Sequence, residues 1–162
     1  MKLRSFSFRR AVPDDIAALK NLYHATVLTI NRRDYSKTEV ADWASCGDDL
    51  CRWKELIETL YFIVAESPRS QIVGFSSINQ QGHLHSMFVH KDFQGKGIAT
   101  MLLDEIERYA KESGIEKITS DVSITARPFF ERRNYSVEAQ QKRRANQLYL
   151  TNFLMTKTID KI

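Results

Sequence analysis

Apolar and polar positions recur with two different periods along the chain. Residues 14–60 carry apolar side chains at helical spacing, in three segments separated by turn residues. Outside that region, apolar residues alternate with polar ones or form short runs bounded by turns, which is typical of strands. The predicted strands are 3–12, 61–65, 71–79, 84–89, 117–122, 135–143 and 147–158. This order of elements favours an α+β fold.

A longer helical pattern begins directly after the strand at 84–89. Apolar residues recur at helical spacing from Ile98 to Tyr109, so we expect a helix that starts near Ile98. The passage through this helix to the strand at 117–122 should be a right-handed crossover, which makes the two flanking strands parallel. A short helix is expected at 125–133. The elements together predict one mixed sheet with helices on both faces.

The loop before the long helix reads Gln94-Gly95-Lys96-Gly97-Ile98-Ala99. A helix start carries roughly half a positive charge and unpaired N–H groups. Two glycines allow positive φ and a close approach of the backbone to an anion. A Rossmann fingerprint would need a small residue at Thr100, and a P-loop would need Ser or Thr where Gly97 follows Lys96. The pattern therefore predicts a phosphate-binding loop of another kind.

This loop resembles the Q/R-x-x-G-x-A/G pyrophosphate loop of the GCN5-related N-acetyltransferases, the GNAT superfamily. The lead-in Val89-His90-Lys91-Asp92-Phe93 also fits that family, and the likeness is close over residues 84–103 and weaker to the C-terminus. The resemblance implies acetyl-CoA as co-substrate. It also implies a mostly antiparallel sheet of about seven strands, splayed at the acetyl-CoA site. We expect a single N-acetyltransferase domain over residues 1–162.

The resemblance also implies which residues bind the cofactor. The backbone of Met87, Phe88 and Val89 would pair with the pantetheine arm and polarise the acetyl carbonyl, because an N–H aimed at a developing oxyanion stabilises it. The phosphates would lie on the loop, where Lys96 is either an ion-pair partner or a solvated lysine. The full set is Met87, Phe88, Val89, Gln94, Gly95, Lys96, Gly97, Ile98, Ala99, Thr100, Ser123 and Phe130.

Phe130 departs from the family pattern. It stands where the family usually has the tyrosine that protonates the departing thiolate, and phenylalanine cannot donate a proton. A thiol has a pKa of about 8.5, so the thiolate can leave without this help. Tyr135 has a hydroxyl that could protonate the thiolate in place of residue 130, although its position in the sequence favours a packing role. Ser123 takes the usual asparagine position beside the cofactor arm.

His83 and His85 flank Leu84 at the start of the same strand. Alternation along a strand places both imidazoles on one face, two residues upstream of Met87. An acceptor amine must lose a proton before it attacks, and a side chain with a pKa of about 6.5 suits that role. The sequence of residues 83–90 is similar to a segment of the aralkylamine N-acetyltransferases, whose paired histidines pass the proton to water. We predict His85 and His83 as catalytic residues; the alternative is a polar strand edge.

Composition and charge indicate which classes of partner to expect. The net charge of +4 is spread along the chain without a basic motif interleaved with aromatics, so we expect no nucleic acid, and a mild positive bias suits an acidic cofactor. The run Lys142-Arg143-Arg144 is interpreted as a solvent-facing turn. Cys46 and Cys51 lack further ligands, so we expect no metal and two half-buried thiols. No apolar run approaches the roughly 18 residues needed to span a membrane, and residues 1–10 lack the apolar stretch of a signal peptide, so we expect no membrane partner and a cytoplasmic protein.

The predicted function is direct transfer of the acetyl group of acetyl-CoA to a primary amine of a small molecule or peptide, through a ternary complex. The alternative is a non-catalytic module that binds or senses acyl-CoA, and a macromolecular acceptor is a third interpretation. The acceptor pocket would be walled by Tyr23, Tyr35, Trp43 and Trp53. Dimers are common in the resembling family, so a homodimer is compatible with the resemblance.

Overall fold

The computed structural model describes residues 6–160 and places seven strands in one sheet, in the order β1-β2-β3-β4-β5-β7-β6. The strands are β1 (Ser7–Arg10), β2 (Tyr61–Glu66), β3 (Ile72–Ile78), β4 (His83–Val89), β5 (Lys117–Ser123), β6 (Ser136–Arg144) and β7 (Tyr149–Thr158). β4 and β5 run parallel, and the other neighbouring pairs are antiparallel. The predicted α+β class and mostly antiparallel sheet are confirmed. The predicted strand 3–12 is shorter, and its residues before Phe6 lie outside the described part.

The described residues form five α-helices: α1 (Ile16–Thr29), α2 (Lys37–Ser45), α3 (Leu50–Thr59), α4 (Ile98–Glu112) and α5 (Arg127–Arg132). α4 starts at Ile98, as predicted. α2 starts at Lys37, because Ser36 Oγ accepts a hydrogen bond from Glu39 N–H and caps the helix. Within residues 6–160, no helix has the length and apolar character needed to cross a membrane.

The helices cover both faces of the sheet. α4 packs on one face, where Leu102 belongs to a buried cluster with Ile63 of β2. α1 and α3 pack on the other face, where Trp53 belongs to a second cluster with Phe62. Phe62 and Ile63 are neighbours on one strand and therefore point to opposite sides. This alternation lets β2 serve both layers, and the expected helices on both faces are confirmed.

β4 and β5 separate after a short paired stretch. His83 and Leu84 lie opposite Thr119 and Ser120, and no later residues of the two strands pair. β4 nevertheless continues to Val89. The predicted splay of the sheet is therefore confirmed, and it leaves a gap between the two strands.

A β-bulge in β4 lies at the point of separation. Ile78 of β3 pairs with Leu84 and Ser77 pairs with Ser86, so His85 is the extra residue without a partner on β3. A bulge bends its strand and increases the local twist. The bulge thus turns β4 away from β5 and changes the direction of the His85 side chain relative to the sheet.

Candidate active site

A cavity of about 1010 Å³ opens where β4 and β5 separate. Its walls come from both strands, the loop before α4, the helices α1 to α3 and the hairpin between β6 and β7. His85 lines it, whereas His83 and Lys96 are not among its lining residues. The predicted cofactor-binding residues in its wall are Met87, Phe88, Val89, Gln94, Gly95, Gly97, Ile98, Ala99, Thr100, Ser123 and Phe130.

The backbone of β4 presents free hydrogen-bonding groups to this cavity. His90 N–H donates to Val73 C=O at 2.8 Å, and hydrogen-bonded positions alternate along an antiparallel ladder. Phe88 therefore directs its N–H and C=O towards β3. Met87 and Val89 direct theirs towards the space that β5 has left. Of the three predicted residues, Met87 and Val89 have the available N–H groups, and Phe88 contributes its ring.

The loop before α4 also leaves its backbone N–H groups free. Gly95 and Gly97 have φ values of 72° and 81°, in the left-handed region that favours glycine. Within the described chain, the N–H groups of residues 95–100 donate to no acceptor, and Met101 N–H is the first to bond, to Gly97 C=O at 3.0 Å. A Cβ built at either glycine meets no protein atom within 4 Å. This open space beside a positive helix end fits a phosphate.

The side chain of Gln94 ties this loop to β4. Its Nε2 donates to Val89 C=O at 2.8 Å, and Thr26 Oγ1 of α1 donates to the same oxygen at 3.1 Å. The carbonyl of Val89 is thereby occupied, and its N–H stays available. The exposed Lys96 lies outside the cavity wall, which favours the interpretation as a solvated lysine.

His85 lies in the cavity wall within electrostatic reach of Arg52, His83 and Asp121. The surrounding protein displaces water, and this desolvation lowers the pKa of His85, helped by the charges of Arg52 and His83 and opposed by Asp121. His85 is therefore neutral at pH 7 and able to accept a proton. His83 is held elsewhere, with Nδ1 2.8 Å from Thr119 Oγ1 and Nε2 3.8 Å from Asp121 Oδ2.

Phe130 is 2 % exposed and is held by neighbouring rings. Phe129 and Tyr135 both contact it edge to face, and the Phe130 ring borders the cavity. The Tyr135 hydroxyl donates to Glu107 Oε1 at 3.1 Å, and burial raises the pKa of Tyr135. Tyr135 is not among the lining residues, so its role is packing, as its position in the sequence favours.

Two hydroxyl groups lie where β5 ends. Ser123 Oγ accepts a hydrogen bond from Ala126 N–H at 3.0 Å and keeps its own proton available. Thr125 Oγ1 is buried without a hydrogen-bond partner, and Thr125 also lines the cavity. A buried polar atom without a partner is rare in proteins and is satisfied when a ligand with a matching group binds. The end of β5 therefore fits a polar ligand arm in the strand gap.

The four aromatic residues predicted as pocket walls all line the cavity: Tyr23, Tyr35, Trp43 and Trp53. They also pack on one another and on Phe88, whose ring contacts those of Tyr23 and Trp43 edge to face. This part of the cavity wall is therefore a cluster of packed aromatic rings.

The sequence did not single out the charged residues that line this cavity. Arg52 follows the N-cap of α3, and Asp121 is one residue among several on β5, so neither has a local signal. Arg143 and Arg144 are exposed at the end of β6, as their interpretation as solvent-facing residues expects, and they also line the cavity. They reach it because the β6–β7 hairpin returns beside α2, where Asp42 accepts hydrogen bonds from the N–H groups of residues 146–148.

Neither cysteine pairs with the other. Cys46 and Cys51 are free and exposed rather than half-buried. Cys46 also lines the cavity. The structure shows no group of three or more potential metal ligands within residues 6–160.

The comparisons with known proteins agree with this geometry. A family model described as an acetyltransferase (GNAT) domain matches residues 31–157. The chain is 29% identical over 153 residues to the uncharacterized N-acetyltransferase YafP of Escherichia coli K12, covering 94% of this chain and 96% of that protein. Among solved structures, a GCN5-related N-acetyltransferase named "Aminotransferase, Class-II" from Rhodopseudomonas palustris superposes with a TM-score of 0.92 at 28% identity, over 98% of both chains.

A more distant structure shows the same fold. The PaiA N-acetyltransferase of Thermoplasma acidophilum, solved in complex with coenzyme A, matches with a TM-score of 0.78 at 18% identity, covering 95% of this chain and 99% of that one. The family match spans most of the chain, and the relatives align over nearly their whole length. The chain belongs to the GCN5-related N-acetyltransferase superfamily.

Proposed function

We propose that the protein transfers the acetyl group of acetyl-CoA directly to a primary amine of a small molecule or peptide, with both substrates bound in the cavity between β4 and β5. The observation that carries this proposal is the presence of three groups in one cavity wall. They are the free N–H groups of Met87 and Val89, the free N–H groups of Gly95 and residues 97–100, and the neutral imidazole of His85.

The donor site is built from backbone groups. Acetyl-CoA supplies an activated acetyl thioester when bound. The N–H groups of residues 95–100 would hold its phosphates, and the N–H groups of Met87 and Val89 face the place where the pantetheine arm and acetyl carbonyl would lie. A donor aimed at the carbonyl oxygen stabilises the negative charge that develops there during attack.

His85 removes the proton that the amine must lose. The ammonium first gives one proton to His85, directly or through one water. The neutral nitrogen then forms a bond to the acetyl carbon, the bond from that carbon to sulfur breaks, and the second proton that the nitrogen loses passes to the departing thiolate or to water. Because the pKa of His85 is lowered, it is unprotonated at neutral pH. The exposed side of His85 then returns the proton to solvent.

The leaving thiolate has no tyrosine to protonate it, since Phe130 occupies that place. We expect Phe130→Tyr to preserve or raise turnover, because the ring borders the cavity and its added hydroxyl would supply an acid. Steady-state kcat measures this. Phe129→Tyr adds the same hydroxyl one residue away and serves as the control; a sharp fall in kcat for Phe130→Tyr alone would show that the unmodified phenyl ring is required.

An acceptor screen tests the proposed function. The protein is incubated with acetyl-CoA and a panel of small amines and peptides, and CoA thiol release is matched to acetylated product by mass spectrometry. We expect stoichiometric release and acetylation with at least one amine. Calorimetric binding of acetyl-CoA without transfer to any acceptor would instead support the acyl-CoA-binding module, which the missing tyrosine favours.

A further inference from the structure

Arginine side chains dominate the charge of the cavity wall. Its lining contains one acidic residue, Asp121, among the described residues. The arginines of the lining are Arg33, Arg52, Arg132, Arg143 and Arg144. They come from the turn after α1, from α3, from α5 and from β6, so no single basic segment explains them. The cavity is therefore positive on several sides.

One of these arginines acts on the proposed proton acceptor, and a second pairs with the acidic residue that also acts on it. The charge of Arg52 acts on His85, and Arg143 Nε lies 3.9 Å from Asp121 Oδ1, whose charge also acts on His85. The charged groups that act on this imidazole thus come from α3, β4 and β5, and they are Arg52, His83 and Asp121. Arg143 of β6 is linked to it through Asp121.

Both guanidinium groups are accessible to a ligand, although Arg143 Nε already lies 3.9 Å from Asp121 Oδ1. The side chains of Arg52 and Arg143 are 47% and 60% exposed. Arg52 has one ion pair, with Glu55 at 3.2 Å one turn along its own helix, and exposed pairs of this kind contribute little. An incoming carboxylate can replace that pair, and it would gain a charge-assisted hydrogen bond in a cavity partly closed to water.

Asp121 supplies the opposite charge in the same place. Its Oδ1 accepts a hydrogen bond from Gln141 Nε2 at 2.6 Å, which fixes the carboxylate beside His83. A substrate ammonium would be attracted to Asp121 next to His85, where it must lose its proton. The cavity therefore presents one negative group for an ammonium and two positive groups for an anion.

We infer that the acceptor is a zwitterionic primary amine, a compound with a carboxylate or similar anion a few bonds from its amine. Its ammonium lies at Asp121 and His85, and its anion lies on Arg52 and Arg143. This inference rests on the proposed function and names the substrate class of the same site. A diamine or polyamine would place its second positive charge against the arginines and is disfavoured.

The arginines could alternatively bind cofactor phosphates. The phosphate-binding N–H groups belong to residues 95–100 at the start of α4, whereas Arg52 and Arg143 belong to α3 and β6 and lie beside His85 and Asp121. Each role changes a different constant: a phosphate role raises KM for acetyl-CoA, and an acceptor role raises KM for the amine.

The test uses acceptor pairs that differ by one carboxylate. L-Phenylalanine is compared with 2-phenylethylamine, and 4-aminobutyrate with butylamine, with putrescine as the cationic probe. kcat/KM is measured at pH 8.5, where His85 is neutral in every variant. The wild type is expected to prefer the carboxylate-bearing partner of at least one pair by roughly 10- to 100-fold, the value of one hydrogen bond to a charged group.

The variants Arg52→Gln and Arg143→Gln, singly and together, should reduce that preference by roughly tenfold or more, through KM for the amine. Both side chains are exposed, so a thermal melt should stay near that of the wild type. Arg69→Gln, in the exposed turn between β2 and β3, is the control and should keep the preference. In Arg52→Gln the acid limb of the pH profile should also move to higher pH, because a positive charge near His85 is gone.

The outcomes separate the two proposals. Acetylation of 2-phenylethylamine, butylamine or putrescine without preference for carboxylates overturns the zwitterion inference and leaves the proposed function standing. A preference that survives the double variant, or a change confined to KM for acetyl-CoA, also overturns it. Failure to acetylate any amine overturns the proposed function, and this inference with it.

Discussion

Replacement of His85 by alanine is expected to lower kcat/KM for the amine by roughly 10²- to 10⁴-fold at pH 7, the usual contribution of a general base. The bulge that leaves His85 without a partner on β3 places it in the cavity wall, and desolvation keeps it neutral. Without the imidazole, the ammonium must give its proton to water. Binding of acetyl-CoA, measured by calorimetry, should change little, because the donor site uses backbone groups.

The pH dependence of kcat/KM also tests the role of His85. The pKa of His85 is lowered, so the active neutral form persists to a lower pH than for an ordinary histidine. In the wild type, kcat/KM should fall on the acid side through an apparent pKa below about 6.5, the usual value. His85→Ala should lose that acid limb. His24→Ala, an exposed histidine of α1, is the control. An unchanged kcat/KM for His85→Ala from pH 6 to 9 would remove His85 from the base role.

Gly97→Ala is expected to weaken acetyl-CoA binding by roughly 10- to 100-fold, because each hydrogen bond to a charged group is worth about 1.5–3 kcal/mol. Gly97 has φ of 81° and precedes the first turn of α4. The methyl group would meet no protein atom, so it would occupy the open space that we assign to a phosphate. The left-handed backbone also costs an alanine about 1–2 kcal/mol of stability.

The chain contains a matched control for this strain. Gly114 lies just after the other end of α4 with φ of 75°, and a Cβ there also meets no atom within 4 Å. Gly114→Ala should therefore destabilise the fold by a similar amount in a urea titration and leave acetyl-CoA binding intact. Equal losses of affinity in the two variants would show that strain, and not the loss of phosphate contacts, explains the effect at Gly97.

The donor side of the site could be predicted from sequence because its signals are local. A glycine pair before an amphipathic helix defines both the loop and the start of α4, and the structure places that start at Ile98. Parallel pairing of β4 with β5 follows from the handedness of crossovers. These residues are close together in the sequence, so their spacing is enough to predict the local backbone conformation.

The finer geometry of β4 depends on its partner strands. Which of Met87, Phe88 and Val89 faces the gap is decided by the register with β3, and register is a property of two strands. The bulge at His85 arises in the same way. The sequence therefore identified the residues of this segment and could not assign their backbone directions.

The acceptor side could not be predicted because its residues are distant in sequence. Arg52, Asp121 and Arg143 come from three elements and meet only when the sheet forms. Arg52 and Asp121 belong to no motif, and Arg143 lies in a basic run of the kind that is usually solvated. The single-domain organisation over residues 1–162, the cytoplasmic location and a homodimer stay predictions.

Amide hydrogen exchange along β4 tests most directly the claim that the gap between β4 and β5 holds the acetyl-CoA arm. At saturating CoA, exchange of the Met87 and Val89 amides should slow, together with that of the free amides of residues 95–100. The Phe88 amide, already bonded to β3, should not change. Unchanged exchange at Met87 and Val89 while calorimetry shows bound CoA would contradict the claim and move the thioester away from β4.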